Sequence, residues 1–182
     1  MADFTTLAAA RLWANIKGTA DDALLSSLIT SCSDAMLAYC NRDFFLSQDK
    51  TEIRDGTGSP QLTVRNYPLT AVSEVTVNGR PIPAGSVTTP GFYFADTRIV
   101  LNGYAFLRGV ANVTVAYTAG WATLPPALVQ ACNELVAFAY KNRDHIGVSS
   151  QAGVNQTTSY ITAAMPQGVA AILQQYRRVV PV

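Results

Sequence analysis

Residues 19–43 read TADDALLSSLITSCSDAMLAYCNRD, and their spacing decides the fold class. Leu24, Leu25, Leu28, Ile29, Cys32, Ala35, Met36 and Tyr39 recur every three or four positions, which places them on one face of a long amphipathic helix. Thr19 stands where an N-cap belongs, and Asp21 and Asp22 lie in the first turn, where the helix dipole favours negative charge. The pattern closes at Asn41-Arg42-Asp43. Upstream, Leu7, Ala8, Arg11, Leu12 and Ile16 predict a shorter helix from Phe4 to Lys17, stopped by Gly18.

Beyond Lys50 the period changes to two. Gln61 to Arg65, Val75 to Val77, Phe92 to Phe94, Arg98 to Leu101 and Val113 to Tyr117 alternate or are rich in β-branched and aromatic residues, as strands are. Asn78-Gly79 directly after Val77 is a hairpin turn, because both residues tolerate positive φ. Asp55-Gly56-Thr57-Gly58 and Asn102-Gly103 are further turns, and Pro68, Pro81, Pro83 and Pro90 confine their strands to edges or ends. A third helix follows Trp121, with Pro125 and Pro126 at its start and Leu128, Val129, Cys132, Leu135, Val136 and Ala139 on its apolar face. Pro166 opens a short fourth helix with Val169, Ala170, Ile172, Leu173 and Tyr176.

The expected class is therefore α+β. Two N-terminal helices, a central helix and a short C-terminal helix form a bundle that carries an inserted antiparallel β unit and ends in an extended arm. One domain is expected over residues 1–182, with a helical core at 1–48 and 119–146 and the β insertion at 49–118. A flexible uncharged loop over 147–164 and the short helix with its arm over 165–182 complete it. From His145 to Tyr176 the chain carries no Asp, Glu, Lys or Arg. It closes on Arg177-Arg178-Val179-Val180-Pro181-Val182, an apolar, β-prone tail too short to fold alone. That tail either lies on its own domain or docks elsewhere, for example by adding a strand to an exposed edge.

Composition narrows the function. Charged residues make up 14% of the 182, against about 25% in typical soluble domains. Thirteen Lys and Arg against 12 Asp and Glu give a net charge of +1. That balance excludes a general electrostatic nucleic-acid binder and an acidic disordered chain. Mean hydropathy is slightly positive at +0.16, yet no stretch is expected to span a membrane, and Met1-Ala2-Asp3-Phe4 does not open a signal peptide. A weakly charged surface suits burial against other chains. Cys32, Cys40 and Cys132 fall on helical apolar stripes with no CxxC spacing, so they read as buried thiols in a reducing compartment. Asn112-Val113-Thr114 and Asn155-Gln156-Thr157 match the glycosylation sequon by chance.

Catalytic chemistry finds little support. His145 is the only histidine, which excludes a histidine metal cluster. A serine or cysteine hydrolase would have to use it, with Asp144 beside it and Ser149 and Ser150 nearby, but no G-x-S-x-G elbow exists. Asp55-Gly56-Thr57-Gly58-Ser59 is a turn, with neither the apolar strand end of an aspartic protease nor the helix and lysine of a phosphate loop. Glu52, Glu74 and Glu134 are the only glutamates, and nothing pairs them for glycoside chemistry. Tyr104, Phe106 and Arg108 form an aromatic-basic patch of the kind that binds single strands. Asp55, Glu74 and Asp96 balance the arginines of that region, so a solvated sheet face is the better reading. No catalytic residue, cofactor or metal site is assigned.

In this order the residues resemble the phage head–tail connector (adaptor) proteins of long-tailed bacteriophages. Asp21-Asp22-Ala23-Leu24-Leu25-Ser26-Ser27-Leu28-Ile29 with Tyr39-Cys40-Asn41-Arg42-Asp43-Phe44 is similar to their opening helix. Val113 to Trp121, Leu124-Pro125, Tyr140-Lys141-Asn142-Arg143 and the closing Tyr176-Arg177-Arg178 continue the likeness over nearly the whole chain. The β insertion is longer than in the smallest, mostly helical members.

The resemblance implies a non-enzymatic structural protein of the virion neck, made in the host cytoplasm. Its subunits would form a ring, typically a dodecamer, beneath the portal protein. The ring would extend a channel through which double-stranded DNA passes without sequence-specific binding, and would meet a stopper or tail-completion protein below. No membrane partner is implied. It further implies that Tyr176, Arg177, Arg178, Val179, Val180, Pro181 and Val182 bind portal. Gly147, Val148, Ser149, Ser150, Gln151 and Tyr160 of the uncharged loop would meet neighbouring subunits. The rival readings are a stopper or tail-completion protein, and a small hydrolase using Asp144 and His145.

Overall fold

The computed structural model describes residues 3–143, 150–152, 157–159 and 165–178. Four helices and antiparallel sheets make up these residues, the α+β class expected from the change of period. The chain divides into two compact units, Met1–Arg42 with Leu124–Val182, and Asp43–Thr123.

The first unit is helical. α1 (Leu7–Ala14) begins at an N-cap, Thr6, whose hydroxyl accepts from the Ala9 N–H at 3.3 Å. It is shorter than the expected Phe4–Lys17, and Gly18 is not its stop. Asn15 takes the left-handed conformation (φ 57°), and the Asn15 and Ile16 N–H groups close back on Leu12 and Arg11. The expected apolar stripe is also turned. Ala10 and Ala14 are the buried residues of this helix, whereas Leu12 is 84% exposed. α1 buries small side chains, which allow close approach, and leaves Leu12 and Trp13 facing outward.

α2 (Asp22–Cys40) ends in the same way, with Asn41 at φ 52° and the Arg42 N–H on the Leu37 carbonyl. Asp21, not Thr19, occupies the N-cap position, and its carboxylate accepts from Tyr140 OH on α3 (Pro126–Asn142) instead of capping the helix. Leu25, Ile29, Cys32, Met36 and Leu37 are buried, and α2 packs on α3 through Leu128, Cys132, Leu135 and Val136. By length and composition alone α2 could cross a membrane, contrary to the expectation that no stretch could. Its outer face carries Ser26, Ser27, Ser31 and Asp34, so it reads as a core helix lying against its bundle. α4 (Gln167–Tyr176) packs on α3 and α2 through Val169 and Leu173. Polar pins add register: Thr5 Oγ1 donates to Asn133 Oδ1 at 2.5 Å, and the Phe4 N–H donates to Ser33 Oγ at 3.1 Å.

All three cysteines are buried and free. Burial pushes the thiols of Cys32 and Cys40 up from 9.0 to about 11 and that of Cys132 to about 12; at Cys40 the cations Arg42 and Arg177 oppose it. The folded chain therefore holds these protons after the unfolded chain has lost them. Stability from this source is complete below pH ~9 and declines as pH rises through the folded values, by about 1.4 kcal/mol per pH unit for each thiol. Urea unfolding at pH 8 and pH 10.5 checks this, with the lower midpoint expected at pH 10.5. Thiol-reactive reagents are expected to label the native protein only after denaturation.

The second unit is the β insertion. β1 (Gln48–Gly56), β3 (Leu69–Val77), β4 (Arg80–Pro81) and β7 (Gly109–Ala119) form an antiparallel sheet in the order β1-β7-β3-β4. β2 (Gln61–Thr63), β6 (Arg98–Asn102) and β5 (Gly91–Ala95) form a second, in the order β2-β6-β5. β7 is central in the first sheet and keeps strict alternation: Val113, Val115, Tyr117 and Ala119 are buried, and the residues between them are partly exposed. They meet Leu62, Ile99, Leu101, Phe92 and Phe106 in one core. The Asn78-Gly79 turn forms as expected, with φ of 51° and 73°, and sets Val77 opposite Arg80.

Glu52 is the charged residue of this interior, only 9% exposed. It accepts from Tyr117 OH and from the Arg65 N–H at 3.2 Å, and pairs with Arg54 at 3.3 Å. Burial first, then the Glu52 bond and charge, push the Tyr117 hydroxyl pKa upward.

In the uncharged stretch, β8 (Ser150–Ala152) and β9 (Thr157–Ser159) pair antiparallel, a ribbon its composition did not announce.

Candidate assembly surfaces

Among the described residues no three His, Cys, Asp or Glu side chains gather to hold a metal ion. Asp144 and His145, the only hydrolase candidates, lie outside the described residues. Two surfaces formed by the described residues stand out.

The first surface is where the end of α4 meets the end of α2. Arg42 Nε donates to the carbonyl of Tyr176, the last residue of α4, at 2.7 Å, where the helix dipole favours a cation. The Arg178 N–H donates to the Cys40 carbonyl at 2.8 Å, at the end of α2. The Arg177 guanidinium stands 5.7 Å from the centre of the Tyr39 ring. Three of the seven expected portal-binding residues, Tyr176, Arg177 and Arg178, are thus fastened to the end of α2 in their own unit. Val179, Val180, Pro181 and Val182 lie outside the described residues. Of the expected inter-subunit residues, Ser150 and Gln151 lie in β8, opposite Ser159 and Thr158. Gly147, Val148, Ser149 and Tyr160 lie outside the described residues.

The second surface is at the end of the β unit where three loops meet, and Asn112 holds them. Its Oδ1 accepts from the Gly56 N–H at 2.8 Å, and its Nδ2 donates to Asn78 Oδ1 at 2.9 Å and to the Leu107 carbonyl at 2.8 Å. Its carbonyl accepts from the Asn78 N–H at 2.7 Å. Asp55 accepts from the N–H of Ala111, which sits in the left-handed region at φ 49°. A Cβ on Gly56 would fall 1.8 Å from the Leu107 carbonyl oxygen, so only glycine lets the loops close this tightly. The closed loops hold Tyr104, Leu107 and Val110 outward, Val110 at 88% exposure. Tyr104 and Leu107, with Val77, Arg80, Pro81 and Ile82, line a groove of about 630 Å³.

This surface was missed by sequence reasoning. The signals were present: a run of turn residues over 55–58, Gly103, and Asn112 inside a chance sequon. The aromatic-basic patch that was weighed there dissolves, because Phe106 is fully buried in the core. The Asn112 side chain is committed to three hydrogen bonds inside the fold.

The described residues are thus an α+β protein whose helical unit fastens Tyr176, Arg177 and Arg178 to α2 and whose β unit displays apolar loops. The head completion protein family model matches residues 3–179, and the chain belongs to that family. Its role is that of the family, head completion of a virion.

Solved structures show the same fold. The neck of an empty gene transfer agent particle, with C6 symmetry, is 22% identical at a TM-score of 0.59, over 90% of this chain and 82% of that one. The neck of the native particle, with C12 symmetry, is 23% identical at 0.58, over 88% and 85%. The virion of the native particle is 22% identical at 0.60, over 97% and 90%. No curated protein matches.

Proposed function

We propose that this protein is the subunit of a ring in the virion neck, joining portal above to a stopper or tail-completion protein below, and that it works without catalysis. The observation that carries the reading is the fold's extent: chains from gene transfer agent necks, in C6 and C12 arrangements, align over about nine-tenths of this one. A dodecamer fits both symmetries. Low charge supports the reading, since interface cores are depleted in charge. A net charge of +1 suits a channel through which DNA slides.

The arm is the proposed portal contact. Tyr176 to Arg178 serve as its root, and Val179 to Val182 are the docking residues. Deleting 179–182 spares every bond at the end of α2 described above. The truncated protein is expected to melt within about 2 °C of the full chain, since it loses no buried contact described here. It is also expected no longer to co-sediment with portal. Normal co-sedimentation sinks the proposed contact. A stopper would not touch portal directly, so imaging of portal-bound particles separates the two neck readings.

A further inference from the structure

We infer that Arg42 is a positioning residue for portal binding: with Tyr39 and Cys40 it caps the end of α4 from the end of α2, and so fixes where Val179 to Val182 leave the helical unit. The inference rests on the arm reading above.

A helix leaves its last four carbonyls without partners of its own. α1 and α2 answer this locally, each with an asparagine in the left-handed conformation at its C-cap. α4 has no such residue. Arg177, at its C-cap, is extended at φ −68° and ψ 130°, and its N–H reaches the Gln174 carbonyl at 3.4 Å. Two of the other three carbonyls are met from the end of α2. Cys40 Sγ donates to Leu173 at 3.5 Å, and Arg42 Nε donates to Tyr176 at 2.7 Å. The Arg178 N–H then returns to the Cys40 carbonyl at 2.8 Å. Arg42 is 7% exposed, so it holds Tyr176 from inside the bundle. The direction of the chain beyond α4 is therefore set by residues of α2 and not by α4 itself.

This anchor ends one residue before the docking segment. An extended residue adds at most ~3.6 Å, so Val179 to Val182 reach no farther than ~14 Å from Arg178. Over so short a reach, the point and direction of departure decide what the segment can touch. Tyr176, Arg177 and Arg178 are also ordered before docking, so their conformational entropy is not lost on binding portal.

The test takes the full chain, its 179–182 deletion and three substitutions. Each is titrated against portal by co-sedimentation, and amide hydrogen exchange of the Arg178 N–H is followed in the isolated protein. Arg42→Ala is expected to bind portal at least about tenfold more weakly and to exchange the Arg178 proton at least about tenfold faster. Arg42→Lys, which can still donate to Tyr176, is expected to recover part of both. Recovery of neither, in a lysine variant that melts like wild type, overturns the inference. So does Arg42→Ala binding equal to wild type, or weakened binding with the Arg178 proton as protected as before. If the deletion binds portal normally, the arm reading falls and the inference falls with it. If the deletion fails to bind while Arg42→Ala binds fully, only the positioning role falls. Tyr39→Leu serves where Arg42→Ala does not fold. It removes the ring beside Arg177 and leaves Arg42 in place. It is expected to move both readings the same way, by about threefold; binding equal to wild type overturns the inference.

Discussion

Gly56→Ala is expected to lower the stability of the β unit by about 3 kcal/mol or more, among the largest effects a single methyl group can have. The new Cβ would lie 1.8 Å from the Leu107 carbonyl oxygen and 2.9 Å from Asn112 Oδ1. The first of these is backbone, and no rotamer change relieves it. Either the 103–109 loop moves away or β1 leaves its register with β7, and both break the bond from the Gly56 N–H to Asn112. Gly79→Ala is the control. Gly79 has φ 73° but open space around its Cβ position, so only the conformational penalty applies, about 1 kcal/mol. Urea midpoints of the two variants decide the matter. A Gly56→Ala protein no less stable than Gly79→Ala would show that the loops are not closed as described.

Glu52→Ala is expected to cost about 2–4 kcal/mol. The carboxylate is nearly fully covered, and its removal strands the Tyr117 hydroxyl, the Arg65 N–H and the Arg54 guanidinium together. Tyr117 itself is 2% exposed, so water cannot replace the lost acceptor without opening the core. Glu52→Gln keeps an acceptor at the same place and is expected to recover part of the loss. Tyr117→Phe removes one donor and leaves the carboxylate with two others, so about 1–2 kcal/mol is expected. A double-mutant cycle between the two positions should show coupling of about 1 kcal/mol or more. Additive effects would mean that the hydroxyl and carboxylate do not depend on each other.

These two predictions sit where reading the chain was weakest. Glu52 looked like one of three scattered glutamates, because its partners Arg65 and Tyr117 are 13 and 65 residues away. Asn112 looked like a chance sequon for the same reason: Gly56 and Asn78 reach it only after three strands have paired. The bonds that fasten Tyr176, Arg177 and Arg178 were out of reach in the same way, because their partners Tyr39, Cys40 and Arg42 lie more than 130 positions earlier. A hydrogen bond between distant residues leaves no local period to read.

What the amino-acid order settled by itself was every property with a short repeat. The three-and-four spacing of α2, the alternation of β7, the paired positive-φ residues of Asn78-Gly79 and the burial of the three cysteines follow from neighbours within a few positions. So do the α+β class and the order of elements that places the chain in its family. Tertiary structure decided which of several apolar side chains would be hidden. α1 offers both small and large candidates. The bundle accepted Ala10 and Ala14, leaving Leu12 and Trp13 in solvent. In the β unit the core took Phe106, and the loops turned Leu107 and Val110 outward. Periodicity states that an element has an apolar face; close packing against a partner from elsewhere in the chain selects the residues that fit, and those left over are free to meet another molecule.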